Sequence, residues 1–196
     1  MALLTWLGVP GSADDWRALG FTNFDGDTFA VGRVVLEPGF DPAWGFEELY
    51  TDPKNLGVET NTMSFVLPQT VMQPNGVDRV DHVVYTVPSL DEAVDALNEV
   101  LGDEPRRRFH PRGSEGPEMA FYRVGEAFIE VVSSGRPAAL MGIAFGGPDL
   151  DASVEAVRAA GGPIGDPKPA VQGGRIASVW SGHVGWGVAI MEPPAR

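Results

Sequence analysis

The chain contains an internal repeat with an offset of 60 residues, which constrains the fold more than any other feature. The stretch 82–91, HVVYTVPSLD, corresponds to the stretch 142–151, GIAFGGPDLD. The match continues without a gap, because Val124-Gly125 in the first copy falls on Val184-Gly185 in the second. A match that holds from one end of a unit to the other predicts two copies of one supersecondary structure.

Each copy has the pattern of a strand, a helix and three further strands. Residues 80–87 predict a strand, and Ser89 with Glu92 three residues later predicts the capping box of a helix. The units 77–137 and 138–196 are therefore both expected to be βαβββ modules of the α+β class, which pair into a curved-sheet cup. The predicted later strands are 106–109, 119–124 and 127–132 in the first unit and 168–171, 175–180 and 188–191 in the second.

Residues 1–76 precede the repeat and have the pattern of a β-rich segment that ends in a Pro-Asn-Gly turn. Residues 3–9 predict a strand, 12–20 predict a short capped helix, and 29–38 predict a second strand. That second strand is similar to the last strand of the chain, 188–193. The likeness favours a shortened and diverged third copy of the βαβββ module.

The stretch 39–61 is rich in turns and aromatic residues, and 63–67 predicts one more strand. Its aromatic residues Trp44, Phe46 and Tyr50 have two possible roles. They are expected to form either the small core of the N-terminal segment or a lid over the cup.

Composition limits the partners that the chain is expected to bind. The net charge is −13 and the pI is about 4.5, which disfavours a surface for nucleic acid or anionic membranes. Cysteine is absent, so neither disulfides nor thiolate chemistry is expected. The apolar N-terminus carries no basic residue and is too short to span a membrane, so we expect a cytoplasmic protein. An odd number of units would leave one sheet face unpaired, which favours a homodimer.

The tandem modules, with Asp81-His82 at the start of one and residues 128–132 at its end, resemble the vicinal oxygen chelate superfamily of glyoxalases, ring-cleaving dioxygenases and antibiotic-resistance proteins. The resemblance covers residues 77–196. It implies a cup that holds a divalent metal such as Zn, Mn, Ni or Fe, with a His or Glu on the first strand of a module and a Glu on the last as ligands. His82 and Glu130 match these two positions in the first module.

The second module departs from the pattern of the superfamily. The positions equivalent to His82 and Glu130 hold Gly142 and Ile190, or Met191 if the register differs by one residue. None of these side chains binds a divalent metal, and two protein ligands retain such an ion weakly. The sequence therefore predicts at most a partial metal site at His82 and Glu130, and it favours no bound metal.

Alternation along the strands predicts which side chains line the cup. If His82 faces inward, so do Val84 on the same strand and Gly142 and Ala144 on the matching strand. The result is an apolar cup with one polar pair, which suits a small organic molecule. The other residues expected to contact a ligand are Phe128, Trp186, Val188 and Ile190. Tyr122 and Arg175 lie on strands that flank the cup, where each is either a ligand contact or a packing or rim residue.

The polar residues each allow two interpretations. His82 and Glu130 are either a catalytic general base with its orienting carboxylate, or a structural hydrogen-bonded pair that remains from a metal site. The basic cluster 106–112 either binds a carboxylate or phosphate group of a ligand, or offsets acidic neighbours on a solvated surface.

Three functions remain open at this stage, and the sequence does not decide whether the chain is an enzyme. One of them is a non-catalytic interaction module whose N-terminal segment fills the cup. An enzyme of this superfamily would stabilise or abstract charge beside a carbonyl or enolate oxygen, in isomerase, lyase or dioxygenase chemistry. The alternative is a metal-free protein of the bleomycin-resistance type, which sequesters a small molecule in the cup without catalysis.

Overall fold

The computed structural model describes residues 1–54, 56–62, 69–111, 113, 116–171 and 173–193. These residues form two mixed β-sheets with few helices, so the predicted α+β class is confirmed. The strand predicted at 63–67 lies outside the described residues. Within the described part of the chain, no helix is both long and apolar enough to cross a membrane.

The N-terminal sheet has the order β2-β3-β4-β1-β5-β6, in which β1 runs parallel to β4 and antiparallel to β5. A helix and two strands connect β1 to β4, as the βαβββ plan requires. The reading of this segment as a shortened third copy remains a prediction. The elements are β1 (Leu3–Val9), α1 (Ala13–Ala18), β2 (Phe24–Asp25), β3 (Thr28–Val31), β4 (Val34–Pro38), β5 (Ala43–Glu47) and β6 (Thr60–Asn61).

A tight turn divides the single strand that was predicted at 29–38. Gly32 has a φ of +60°, a left-handed conformation that glycine adopts without steric cost, and the chain reverses there from β3 into β4. The turn-rich stretch that follows also contains β5 and β6. Trp44 and Phe46 lie in the core, while Tyr50 is exposed, so these aromatic residues form no lid over the cup.

The two repeat copies form one sheet with the order β12-β13-β14-β11-β7-β10-β9-β8. The first strand of each copy runs parallel to its last strand, and β7 and β11 join the copies as antiparallel neighbours. The elements are β7 (Arg79–Val87), α2 (Leu90–Leu101), β8 (Arg107–Phe109), β9 (Met119–Val124), β10 (Ala127–Ser133), β11 (Ala139–Gly146), α3 (Leu150–Ala159), β12 (Lys168–Pro169), β13 (Arg175–Ser178) and β14 (Gly187–Glu192).

The helix boundaries follow from local side chains. Ser89 accepts a hydrogen bond from the Glu92 amide at the start of α2, and Asp149 accepts one from the Ala152 amide at the start of α3. Helix α2 ends at Gly102, which has a φ of +66°. The sequence predicted Ser89 and Glu92 at the start of α2.

The two faces of the eight-stranded sheet have different environments. One face, called the helix face, carries Val83 and Tyr85 and packs against α2, α3 and the N-terminal sheet. Phe21 contacts Phe145 there at 4.9 Å between ring centroids, and Trp44 contacts Tyr85 at 5.0 Å. The opposite face, called the cup face, carries His82. The apolar core therefore lies on one side of the sheet and leaves the other side open to a ligand.

Glu126 links one turn of the eight-stranded sheet to one turn of the N-terminal sheet through a hydrogen bond. Its side chain extends from the β9–β10 turn, and its Oε1 accepts a hydrogen bond from the Arg33 amide at 2.7 Å in the β3–β4 turn. Burial raises the pKa of the Glu126 carboxyl, and the hydrogen bond from Arg33 opposes that rise. The carboxylate needs the space beside Gly32, because a Cβ there would lie 1.8 Å from Oε1.

We expect alanine at Gly32 to destabilise the protein more than alanine at Gly26. The two glycines have φ values of +60° and +61°, so each alanine introduces about 1–2 kcal/mol of backbone strain. A Cβ at Gly26 meets open space, whereas one at Gly32 displaces the Glu126 carboxylate and adds about 1–3 kcal/mol. Chemical denaturation measures both free energies of unfolding. Equal losses in the two variants would show that the Glu126 contact does not stabilise the fold.

Candidate functional site

A β-bulge near the start of β7 positions the polar residues of the cup. The pairing of β7 with β11 places His82 opposite Ala144 but Val80 opposite Phe145, which leaves Asp81 as the extra residue. A bulge re-aims side chains, so Asp81 and His82 lie side by side on the cup face although they are consecutive in the sequence. An unbroken strand would have pointed them to opposite faces.

His82 lies between two carboxylates. Its Nδ1 is 2.9 Å from Oδ1 of Asp81, and its Nε2 is 3.6 Å from Oε2 of Glu130. The side chains of His82 and Glu130 are only 15% and 12% exposed, whereas that of Asp81 is 36% exposed. Because a carboxylate only accepts hydrogen bonds, Nδ1 carries the proton that binds Asp81, and Nε2 is directed at Glu130. The structure thus brings together the His82–Glu130 pair that the sequence singled out, and it adds Asp81.

The two carboxylates change the acidity of the imidazole. Burial disfavours the charged ring, but the hydrogen bond to Asp81 and the charges of Glu130 and Asp81 outweigh burial and raise the pKa of His82 above its ordinary value of 6.5. Near neutral pH, the His82 ring is therefore protonated to a larger extent than the ring of a histidine with the ordinary pKa. Such a ring can donate a proton or a hydrogen bond from Nε2.

Two adjoining cavities of about 440 Å³ each open on the cup face, and both are lined by His82 and Met191. Each cavity therefore has the size of a site for a small organic molecule. The first is also lined by Asp81, Arg106, Arg107, Phe121, Phe128, Gly173, Glu192 and Pro193. The second is also lined by Pro111, Pro117, Met119, Glu130, Val132, Lys168, Pro169, Ala170, Val171 and Ile176.

The strand registers define the residues that share the cup face. One row runs across the sheet as Gly187, Gly142, Val84, Glu130, Phe121 and Arg107. The neighbouring row contains Ala144, His82 and Phe128. Four predicted ligand contacts, Val84, Phe128, Gly142 and Ala144, therefore lie on the same face as His82. The row that contains Glu130 also includes Phe121, which the sequence analysis did not identify.

The predicted orientation of the last strand is wrong by one residue. Val188 and Ile190 pair with Ile143 and Phe145, so both side chains lie on the helix face, where they are buried. Ala189 and Met191 point to the cup instead. Trp186 precedes the strand and is also buried, with its Nε1 donating to the Leu140 carbonyl at 2.9 Å. These three predicted ligand contacts do not line either cavity.

Two other predicted contacts are also held away from the cup. Tyr122 lies on the helix face, where its hydroxyl donates to the Val94 carbonyl of α2 at 3.2 Å. Arg175 forms ion pairs with Asp151 of α3 and with Glu192, at 2.8 Å and 2.5 Å. Strand alternation separates both residues from the row that contains Glu130.

The side chains on the cup face do not fit the divalent metal that the resemblance implies. In the second module, Gly142 and Ala189 occupy the register positions that His82 and Glu130 occupy in the first. Neither has a side-chain donor atom. Among the described residues, no group of three or more His, Cys, Asp and Glu side chains could hold a metal ion. The ring of His82 lies between Asp81 and Glu130, so these three side chains do not surround a common point.

The N-terminal sheet contains a pair of residues at the equivalent positions, which the sequence did not reveal. Trp6 follows a register shift in β1 and lies opposite Val35, as His82 follows a bulge and lies opposite Phe128. Two residues further on, Glu37 accepts a hydrogen bond from Trp6 Nε1 at 3.1 Å. An indole does not exchange protons near neutral pH, so the Trp6–Glu37 pair is structural.

The sequence profile of the Glyoxalase/Bleomycin resistance protein/Dioxygenase superfamily matches residues 79–190. The matched part includes β7 to β13 and most of β14. It also includes the bulge, His82 and Glu130. No curated protein matches the chain significantly.

Several solved structures share the fold of the C-terminal part. A methylmalonyl-CoA epimerase from Mycobacterium tuberculosis is 20% identical with a TM-score of 0.55, over 64% of this chain and 94% of that protein. A variant of the Streptomyces coelicolor epimerase in complex with 2-nitronate-propionyl-CoA is 19% identical with a TM-score of 0.52, over 61% and 96%. A hypothetical protein from Bacillus halodurans has the same identity and TM-score, over 60% and 96%. At these identities the likeness concerns the fold alone.

We expect Glu130→Gln to destabilise the protein in a pH-dependent way. The raised pKa of His82 means that the protonated ring stabilises the fold below pH 6.5, and that this contribution is lost as the pH rises through the folded-state pKa. Removing the Glu130 charge should lower the free energy of unfolding by about 1–2 kcal/mol at pH 6 and by less at pH 9, where a smaller fraction of the ring is protonated. Denaturant titrations at the two pH values measure the difference.

Glu118→Gln is the matched control, because Glu118 pairs with Arg108, which stays charged at both pH values. Its effect on the free energy of unfolding should not change between pH 6 and pH 9. An effect of Glu130→Gln that is equally independent of pH would contradict the coupling between Glu130 and His82.

Proposed function

The chain belongs to the Glyoxalase/Bleomycin resistance protein/Dioxygenase superfamily, and from this membership we propose that its cup binds a small organic molecule and moves a proton at a carbon beside a carbonyl group. The observation that carries the proposal is the placement of the His82 ring between Asp81 and Glu130 at the junction of the two cavities. A buried acid–base pair at the base of an apolar cup is suited to proton transfer.

The proposed chemistry assigns a separate role to each polar side chain. The Glu130 carboxylate accepts the proton from the carbon, and the electron pair of that C–H bond moves onto the carbonyl oxygen. The His82 imidazolium stabilises the resulting enolate oxygen through a hydrogen bond from Nε2. Protonation of that carbon on the opposite face gives the epimer, whereas return of the proton from Glu130 to the original face regenerates the ligand. Neither outcome consumes acid or base.

Asp81 acts as a positioning residue for His82. Its hydrogen bond at 2.9 Å fixes the proton on Nδ1, so that Nε2 faces Glu130 and the ligand. The same carboxylate stabilises the positive charge that the imidazolium carries during the reaction. Asp81 is therefore expected to affect the rate of proton transfer more than the affinity for the ligand.

The walls of the cup support an apolar ligand body. Phe121 and Phe128 line the first cavity, Val132 lines the second, and Met191 lines both. An apolar surrounding also strengthens the electrostatic interaction between His82 and an enolate oxygen, because water screens it less.

Deuterium exchange tests the proposal. Methylmalonyl-CoA is a suitable first probe, because an epimerase in complex with that compound shares the fold of this chain. After treatment of the protein with a chelator, we expect deuterium from D₂O to enter at the acidic carbon, as measured by NMR. Glu130→Gln and His82→Gln should each lower the exchange rate by about 10²–10⁴-fold, the usual contribution of a general acid or base.

Asp91→Asn is the charge-matched control, because Asp91 lies in the first turn of α2 and pairs with Arg108. It should exchange at the wild-type rate. Unchanged exchange in the Glu130 and His82 variants would contradict the assigned roles. Binding without exchange would refute proton transfer on this compound, and a rate that requires added Zn, Mn, Ni or Fe would refute its assignment to side chains alone.

A further inference from the structure

The arginine cluster at 106–108 is divided between the two faces of the sheet. In β8, Arg107 pairs with Phe121 of the cup row, whereas Arg108 pairs with Ala120 of the helix face. Arg108 forms ion pairs with Asp91 and with Glu118. Arg108 therefore offsets acidic neighbours, as one interpretation of the cluster expects. Arg106 and Arg107 line the cup instead.

Arg107 is held against the aromatic wall of the cup. Its guanidinium carbon lies 3.6 Å from the centroid of the Phe109 ring, in a cation–π contact. Phe109 in turn stacks on Phe121 with 5.8 Å between ring centroids and an interplanar angle of 24°. This stack restricts the guanidinium, so a ligand that binds it immobilises less side-chain freedom.

The acidic and the basic side chains that line the cup differ in whether they form ion pairs. Each carboxylate that lines it has a cationic or imidazole partner, since Asp81 and Glu130 contact His82 and Glu192 binds Arg175. In the described part of the chain, Arg106 and Arg107 take part in no ion pair. A protein with 27 acidic and 14 basic residues thus presents two arginines at this cavity that form no ion pair with any described carboxylate.

We propose that Arg106 and Arg107 select a ligand that carries an anionic group, a carboxylate or a phosphate, on an apolar body. Arginine binds both anions through paired N–H donors. Arg107 lies two strands from Glu130 in the same row, about 10 Å between backbones, so one ligand can reach both residues. The inference rests on the proposed function, because it names the substrate class of the same cup.

Two fluorescent probes with the same aromatic body test this selection. 8-Anilinonaphthalene-1-sulfonate carries an anionic group, and N-phenyl-1-naphthylamine lacks it. We expect both to bind the cup and both to bind several-fold more weakly to Met191→Ala, because Met191 lines both cavities. Arg107→Gln should weaken binding of the sulfonate by about tenfold and leave the neutral probe unchanged, as expected for a charge-assisted contact.

Arg136→Gln is the control, because it removes the same charge from the β10–β11 connection, outside the two cavities. It should leave both affinities unchanged. Phenylacetate and phenyl phosphate should displace the sulfonate probe at lower concentrations than phenylacetamide, and their ratio distinguishes a carboxylate ligand from a phosphate ligand. Added salt should weaken only the anionic probe.

The outcomes separate this inference from the proposed function. If neither probe binds, or if Met191→Ala changes neither affinity, ligand binding in the cup is refuted, and the proposed function fails with it. If the neutral probe binds and responds to Met191→Ala, but Arg107→Gln leaves the affinity of the sulfonate unchanged, only the selection of an anion is overturned.

Discussion

The arrangement of the candidate site depends on one local constraint, the extra residue in β7 opposite β11. The bulge turns Asp81 onto the same face as His82, and the parallel register of β10 brings Glu130 within 3.6 Å of the other side of the ring. Without the bulge, strand alternation would point Asp81 into the apolar layer between the sheet and its helices. The cost of burying a charge there explains why the acidic residue and the bulge occur together.

The N-terminal sheet and the two repeat copies carry three different pairs at this position. Trp6 donates to Glu37 in the first sheet, His82 faces Glu130 in the second, and the last module has Gly142 beside a strand that carries Ala189. The indole fills the space above Gly8, because a Cβ there would lie 2.8 Å from the Trp6 ring. His82 and its two carboxylate neighbours come from the first repeat copy, and the second copy lines the cavities with Ile176 and Met191.

Sequence reasoning predicted the modules and the central pair, because these follow from local patterns. The repeat offset of 60 residues holds from β7 to β11, but it fails in β14, where Gly187 rather than Val188 lies opposite Gly142. A shift of one residue exchanges the two faces of a strand, so the orientation of Val188 and Ile190 was inverted. Long-range pairing decides such a register, and the bulge at Asp81 is equally invisible in one sequence. The turn at Gly32, in contrast, is visible in the sequence. The dipeptide Val-Gly occurs there and again at Val124-Gly125 and Val184-Gly185, and all three glycines have positive φ.

The central claim is that Asp81 and Glu130 hold His82 in one tautomer with an elevated pKa. Long-range ¹H–¹⁵N NMR spectra of the imidazole measure both properties at once, because the ring nitrogen shifts report where the proton lies. We expect the neutral ring to carry its proton on Nδ1, and the titration midpoint of His82 to lie above 6.5 and to fall in Asp81→Asn. A neutral ring protonated on Nε2, or a midpoint at or below 6.5, would contradict the account.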